Sequence, residues 1–178
     1  MEYKAGEYLV HETSGVCQIS DIEDMELMGK GSLKTYYIMT PVFKPTAKVF
    51  TPVSGSSIRL RPVASRQRFK DIIEGIGSIE IINESNDRLR QERFKELLAE
   101  FTPEALAILV KTVLIRMWAR AESGKKTMAS DEKSLAVAGK KLYEEMAFSM
   151  NMDIADVQRM FEEKVKEHSQ DIMTQLTL

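Results

Sequence analysis

The hydrophobic pattern changes its period once, near Ser65, and that change limits the chain to a β-then-α architecture. Before it, short runs rich in Val, Ile, Tyr and Thr alternate with turn residues. After it, apolar residues recur every three or four positions. Strands are predicted over 7–12, 16–22, 35–40, 47–52 and 58–61. Gly29, Gly31 and Ser32 mark a loop, Pro45 interrupts the next connection, and Ser54-Gly55-Ser56-Ser57 makes another. Five short strands in so few residues suggest a small, partly open barrel, because closing a sheet hides its edges. In Ile58-Arg59-Leu60-Arg61, alternation sends Ile58 and Leu60 to the core and Arg59 and Arg61 to the other face. Ala47 and Val49 likewise share one face, Lys48 and Phe50 the other. An outward Phe50 beside Lys48 is a candidate partner contact; the alternative is that it packs under a loop.

Behind Ser65 the pattern predicts five helices. Ser65 caps a short one carrying Phe69, Ile72, Ile73 and Ile76. A polar helix spans about 86–100, with Leu89, Phe94, Leu97 and Leu98 inward. Thr102-Pro103-Glu104 starts the third: a cap, a proline in the first turn and an acid near the positive end of the dipole. Leu106, Leu109, Val110, Val113, Leu114 and Met117 cover most of that helix, which places it at the centre of a bundle. A fourth helix begins at Ser130-Asp131-Glu132 and a fifth at Asp153, and residues after His168 should fray. The predicted fold is therefore α+β: an N-terminal β-barrel domain over 1–65, a helical domain over 66–168 and a tail over 169–178.

Composition narrows the class of function. Apolar residues make up 43% of the 178 and the net charge is only −2, so charge excess does not keep the chain unfolded. A single cysteine, Cys17, permits no internal disulfide and fits a reducing compartment. The first residues, MEYKAGEYLVHE, lack the apolar core of a signal peptide, and no stretch approaches the ~20 apolar residues of a membrane span. The expectation is a cytoplasmic protein with no membrane partner. His11 and His168 share no metal-ligand spacing with each other or with Cys17, and Gly29-Lys30-Gly31-Ser32 lacks the spacing of a P-loop. His11 reads as a half-exposed strand residue and Cys17 as core. No carboxylate pair stands out as acid and base. The expectation is thus no catalytic residue, no metal, no cofactor and no small-molecule substrate, and the chain is read as a monomer.

One run does stand out. Residues 86–95, reading Asn86-Asp87-Arg88-Leu89-Arg90-Gln91-Glu92-Arg93-Phe94-Lys95, open the polar helix with four cations close together. Arginine suits phosphate because its planar fork donates two bonds at once. Lys125, Lys126 and Lys133 form a second small group, and 66–128 is the only locally basic part of the chain. The bland alternative is a solvated face tied by pairs such as Glu96 with Arg93.

The order of motifs then resembles that of CarD/CdnL-family bacterial transcription regulators. The likeness runs from Tyr3-Lys4-Ala5-Gly6-Glu7-Tyr8-Leu9-Val10 and Ser14-Gly15-Val16 through Ile22-Glu23, Tyr36-Tyr37-Ile38 and Val49-Phe50-Thr51-Pro52-Val53 to Leu60-Arg61-Pro62-Val63. It continues in Arg93-Phe94-Lys95-Glu96-Leu97-Leu98, Asp131-Glu132-Lys133 and Lys141-Leu142-Tyr143-Glu144-Glu145. The resemblance implies a Tudor-like front domain that docks on the RNA polymerase β subunit. It also implies a helical back domain that touches promoter DNA, so that binding both stabilises the open complex. The protein would then be nucleoid-associated through polymerase. Two polymerase-contacting arginines of the family fall at Met25 and Phe50, so docking would use apolar contact together with Lys48, Arg59 or Arg61. DNA-contacting positions fall at Arg88, Arg116 and Lys133, and Arg90, Arg93, Lys125 and Lys126 join them as candidates. Many members carry a tryptophan that wedges into the minor groove; the position aligned with it here is near Asn86, or Asn83 under a shifted alignment. Two other readings stay open: a protein-interaction module that binds polymerase without DNA, and an enzyme of a type the sequence does not reveal.

Overall fold

A computed structural model describes residues 3–27, 29 and 31–176; Met28 and Lys30, beside and within the loop expected at 29–32, lie outside the described residues. The chain divides into two compact units, Met1–Val63 and Ala64–Leu178.

The first unit is an antiparallel sheet of β1 (Tyr8–His11), β2 (Gly15–Met25), β3 (Lys34–Pro41), β4 (Val49–Pro52) and β5 (Leu60–Pro62), in the order β4-β3-β2-β1-β5. The predicted barrel is corrected by this order: β4 and β5 are the two ends of an open sheet and do not pair. Leu9, Cys17, Ile19, Tyr37 and Met39 form the core cluster on one face, with Ile22, Val49 and Leu60 packed on it. The spacing Cys17, Ile19, Ile22 breaks a strict alternation by one residue. A bulge absorbs the extra residue, since Ile19 stands opposite Met39 and Asp21 opposite Ile38, leaving Ser20 unpaired between them. The Ser20 hydroxyl donates to the Ile38 carbonyl at 2.9 Å, and Ile22 returns to the core face opposite Tyr37.

The β1–β2 turn also differs from expectation at His11, which is buried rather than half-exposed. Its Nδ1 accepts from the backbone N–H groups of Thr13 at 3.3 Å and Ser14 at 3.1 Å, so the ring closes the turn. Gly15 follows with φ +74°, where a side chain would be strained.

The second unit contains α1 (Arg66–Glu74), a 3₁₀ turn at Ile76–Ser78, α2 (Asp87–Glu100), α3 (Pro103–Glu122), α4 (Ala129–Met150), α5 (Ile154–Glu167) and α6 (Gln170–Gln175). Ser65, Asn86 and Thr102 cap α1, α2 and α3 by accepting from Arg68, Leu89 and Ala105 N–H groups. α3 carries Leu109, Val110, Val113 and Ile115 fully buried at the centre. α6 occupies the segment expected to fray, and Ser169 just before it is buried.

α2 does not face inward as its apolar residues suggested. Phe94 is buried and sets the phase; one turn before it lies Arg90, not Leu89. At about 3.6 residues per turn, Leu89 sits roughly 140° from Phe94. It is accordingly 48% exposed, and Arg90 takes the inward position.

Candidate functional sites

In the first unit the feature with the means to bind is the edge of β4. Val53 N–H donates to Thr35 C=O at 2.9 Å, which fixes the parity of the strand. Odd-numbered residues turn their backbone groups to β3; Phe50 and Pro52 turn theirs to the open edge. Proline is tolerated there because it lacks the donor an inner strand would need. Phe50 stands opposite Ile38 and is 42% exposed. An aromatic ring beside outward N–H and C=O groups suits an extended partner strand: the main chain supplies affinity and the ring supplies selectivity. Lys48, exposed, precedes it.

In the second unit the N-termini of α2 and α4 meet. The Ser130 hydroxyl donates to Asp87 Oδ1 at 2.9 Å, and Arg90 joins Asp87 Oδ1 at 2.7 Å and Asp131 Oδ1 at 3.2 Å. Arg116 of α3 reaches the other oxygen, Asp131 Oδ2, at 3.4 Å. One buried carboxylate thus binds two arginines and ties three helices. Burial, and then the charge of Arg90, pull the Arg116 guanidinium below its ordinary value, against the opposite pull of Asp131. Arg90 also donates to the Glu84 carbonyl at 3.1 Å and to Met128 Sδ at 3.3 Å.

Around this end lie exposed cations: Arg88, whose side chain is 87% exposed and 3.2 Å from Glu92, with Lys125, Lys126 and Lys133. Two helix N-termini and four cations make an end that favours anions. Asp87, Glu92 and Glu132 temper it, Glu132 accepting from the Thr127 hydroxyl.

Residues 3–64 match the family model of the CarD-like/TRCF RID domain. The first unit is a CarD-like RID domain. This family interacts with the RNA polymerase β subunit. The match ends where the helical unit begins, and no curated protein matches the chain.

The polymerase-contact residues expected from sequence are dispersed in the RID domain. Lys48 and Phe50 belong to the β4 edge. Met25 ends β2 opposite Lys34, half-buried. Arg59 and Arg61 lie at the opposite end of the sheet. Arg59 forks onto Glu12, with Nε at 3.2 Å and one terminal nitrogen at 2.5 Å from Oε1, and that carboxylate raises the guanidinium further. Arg61 donates to the Pro62 carbonyl at 3.2 Å.

Among the expected DNA contacts, Arg90 and Arg116 need correction. They are 0% and 1% exposed and cannot reach a phosphate. The cause is the helix phase set by Phe94, which aims Arg90 at Asp131, and the central position of α3, which encloses Arg116. Arg88, Lys125, Lys126 and Lys133 are exposed at one end. Arg93 is exposed and paired with Glu96, roughly 140° around α2 from Arg88. Asn86 is exposed and accepts from Leu89 N–H as the cap of α2. Sequence reasoning missed Asp131 as the centre of a network. The available signal was an acid in the first turn of a helix on the same face as Ser134 and Ala138, small residues that are also buried.

Proposed function

We propose that this chain is a non-catalytic transcription regulator that docks on RNA polymerase through its RID domain and offers the α2/α4 end of its helical unit to promoter DNA. A ligand that binds polymerase and melted promoter together favours the open complex over the closed one by the difference between its two affinities. The reading requires no cofactor, metal, membrane or small-molecule substrate, and one copy of the chain suffices. It places the protein in the cytoplasm, where polymerase works. The observation that carries it is the RID match together with the open β4 edge and its exposed Phe50.

Because the position holds phenylalanine, docking should depend on apolar burial and on main-chain bonds more than on charge. Phe50→Asp in the full chain tests this against the β subunit of polymerase from the same host. Buried aromatic anchors commonly contribute about 2 kcal/mol or more, so the affinity should fall at least about tenfold. Unchanged affinity would remove β4 from the interface.

A second reading, polymerase binding without DNA contact, is favoured by one observation. Two of the expected DNA-contacting arginines, Arg90 and Arg116, are spent on Asp131 in the interior. Retained DNA affinity in the isolated complex of chain and promoter would exclude it.

A further inference from the structure

Two stripes of residues line one groove where α4 packs on α5. Leu135, Gly139 and Tyr143 recur every four residues on α4, and Ile154, Gln158 and Glu162 do the same on α5. The groove holds about 340 Å³, within the range that small molecules occupy. Gly139 makes room for the ring of Tyr143: a Cβ there would lie 3.3 Å from Tyr143 Cε2 and 3.7 Å from Cδ2. Glycine inside a helix is unfavourable, and here it lets the ring lie along α4. The ring also packs edge-on with Phe161, centroids 5.9 Å apart. The Tyr143 hydroxyl is buried yet has no hydrogen-bond partner among the described residues. A buried hydroxyl left unpaired costs free energy that a partner would return. Burial, and then the charge of Glu162, push its pKa up, so it stays a neutral hydroxyl. Glu162 accepts from Gln158 Nε2 at 2.8 Å and has no ion pair among the described residues. Lys140 and Glu144, which also line the groove, lie 3.9 Å apart and offset each other. Apolar walls at Leu135 and Ile154, an unused hydroxyl and an uncompensated carboxylate thus share one groove.

We propose that the α4/α5 groove binds a small amphipathic cation, an aryl or alkyl amidine or amine. Its apolar body lies against Leu135 and Ile154, and its N–H groups donate to the Tyr143 hydroxyl oxygen and the Glu162 carboxylate. The carboxylate selects positive charge, and the buried hydroxyl disfavours a head group with no hydrogen bond to offer. A molecule held by both helices stabilises the helical unit by mass action. It is a ligand and not a substrate. The inference stands apart from the polymerase reading, because it uses none of the residues on which that reading rests.

Benzamidine is the probe, neutral benzamide is its isostere, and the backbone amide shifts of the full chain are the readout. Benzamidine should shift α4 and α5 amides saturably at millimolar concentration. Exchanging it for benzamide, or Glu162 for Gln, should each weaken binding about tenfold or more. Tyr143→Phe should weaken it about fivefold, yet leave the ligand-free protein at least as stable as the wild type, since it removes an unpaired hydroxyl. Ala136→Phe, at an exposed position lining the groove, should block binding with the fold intact. The proposal is overturned if the wild type shows no saturable shift, if benzamide binds as well as benzamidine, or if Tyr143→Phe or Ala136→Phe binds like the wild type. A markedly destabilised Tyr143→Phe would overturn it as well, because the hydroxyl would then have a partner inside the protein.

Discussion

Asp131 shows how one side chain can set the geometry of a whole end of a molecule. Its two oxygens each take a buried arginine, one from α2 and one from α3. Removing one member of a buried ion network strands the others, at a cost of about 3–5 kcal/mol. Asp131→Ala should therefore lower the unfolding free energy of the helical unit by that order in urea titration. A loss below about 1 kcal/mol would mean that water already serves these arginines. Lys111 poses a different residue-scale problem: its buried ammonium has carbonyl partners, Ile76 at 2.7 Å and Ile79 at 2.6 Å. Burial pulls its pKa below the ordinary 10.5. The unfolded chain then holds a proton that the folded chain releases first, so stability rises with pH across that interval. The cost of the charge is felt fully below the folded value and is relieved as pH climbs through it. The stability difference between wild type and Lys111→Met should accordingly change on the alkaline side, in favour of the wild type, and level off above 10.5. A difference independent of pH would contradict the account.

At the scale of elements, the sequence revealed periods more readily than phases. The change at Ser65 was legible because strand and helix repeats differ, and the Ser65 and Thr102 caps were legible because few residue types serve there. The β2 bulge was not, because an extra residue in an alternating run resembles the end of a strand; 16–22 became Gly15–Met25 once Ser20 was set aside. The open sheet was not legible either, since closure depends on whether the first and last strands meet. α2 misled for a physical reason: Leu89 is the more apolar residue, yet Phe94 sets the buried stripe and Arg90 finds its charge partner within it. The consequence for function is concrete. Only the exposed cations at the joined ends of α2 and α4 can engage phosphate there. Replacing Arg88, Lys125, Lys126 and Lys133 by Glu should weaken promoter binding and flatten its salt dependence. The log–log slope should fall by about 0.9 for each phosphate that is no longer neutralised. Binding isotherms at several salt concentrations give that slope. An unaltered slope would assign DNA binding to another surface or exclude it.

At the scale of the whole molecule, the two units carry different kinds of surface. The RID domain offers an open strand edge with one exposed aromatic. The helical unit offers an end where helix dipoles and lysines meet. In the proposed function each surface holds a partner, and neither carries out a reaction. No helix among the described residues is long and apolar enough to cross a membrane. The central claim is that holding polymerase and promoter together prolongs the melted state. The most direct measurement is the lifetime of the open complex on a promoter, using polymerase of the same host, with and without the full chain. The account predicts a longer lifetime with the wild type and no extension with Phe50→Asp. An unchanged lifetime at concentrations that saturate polymerase would contradict it.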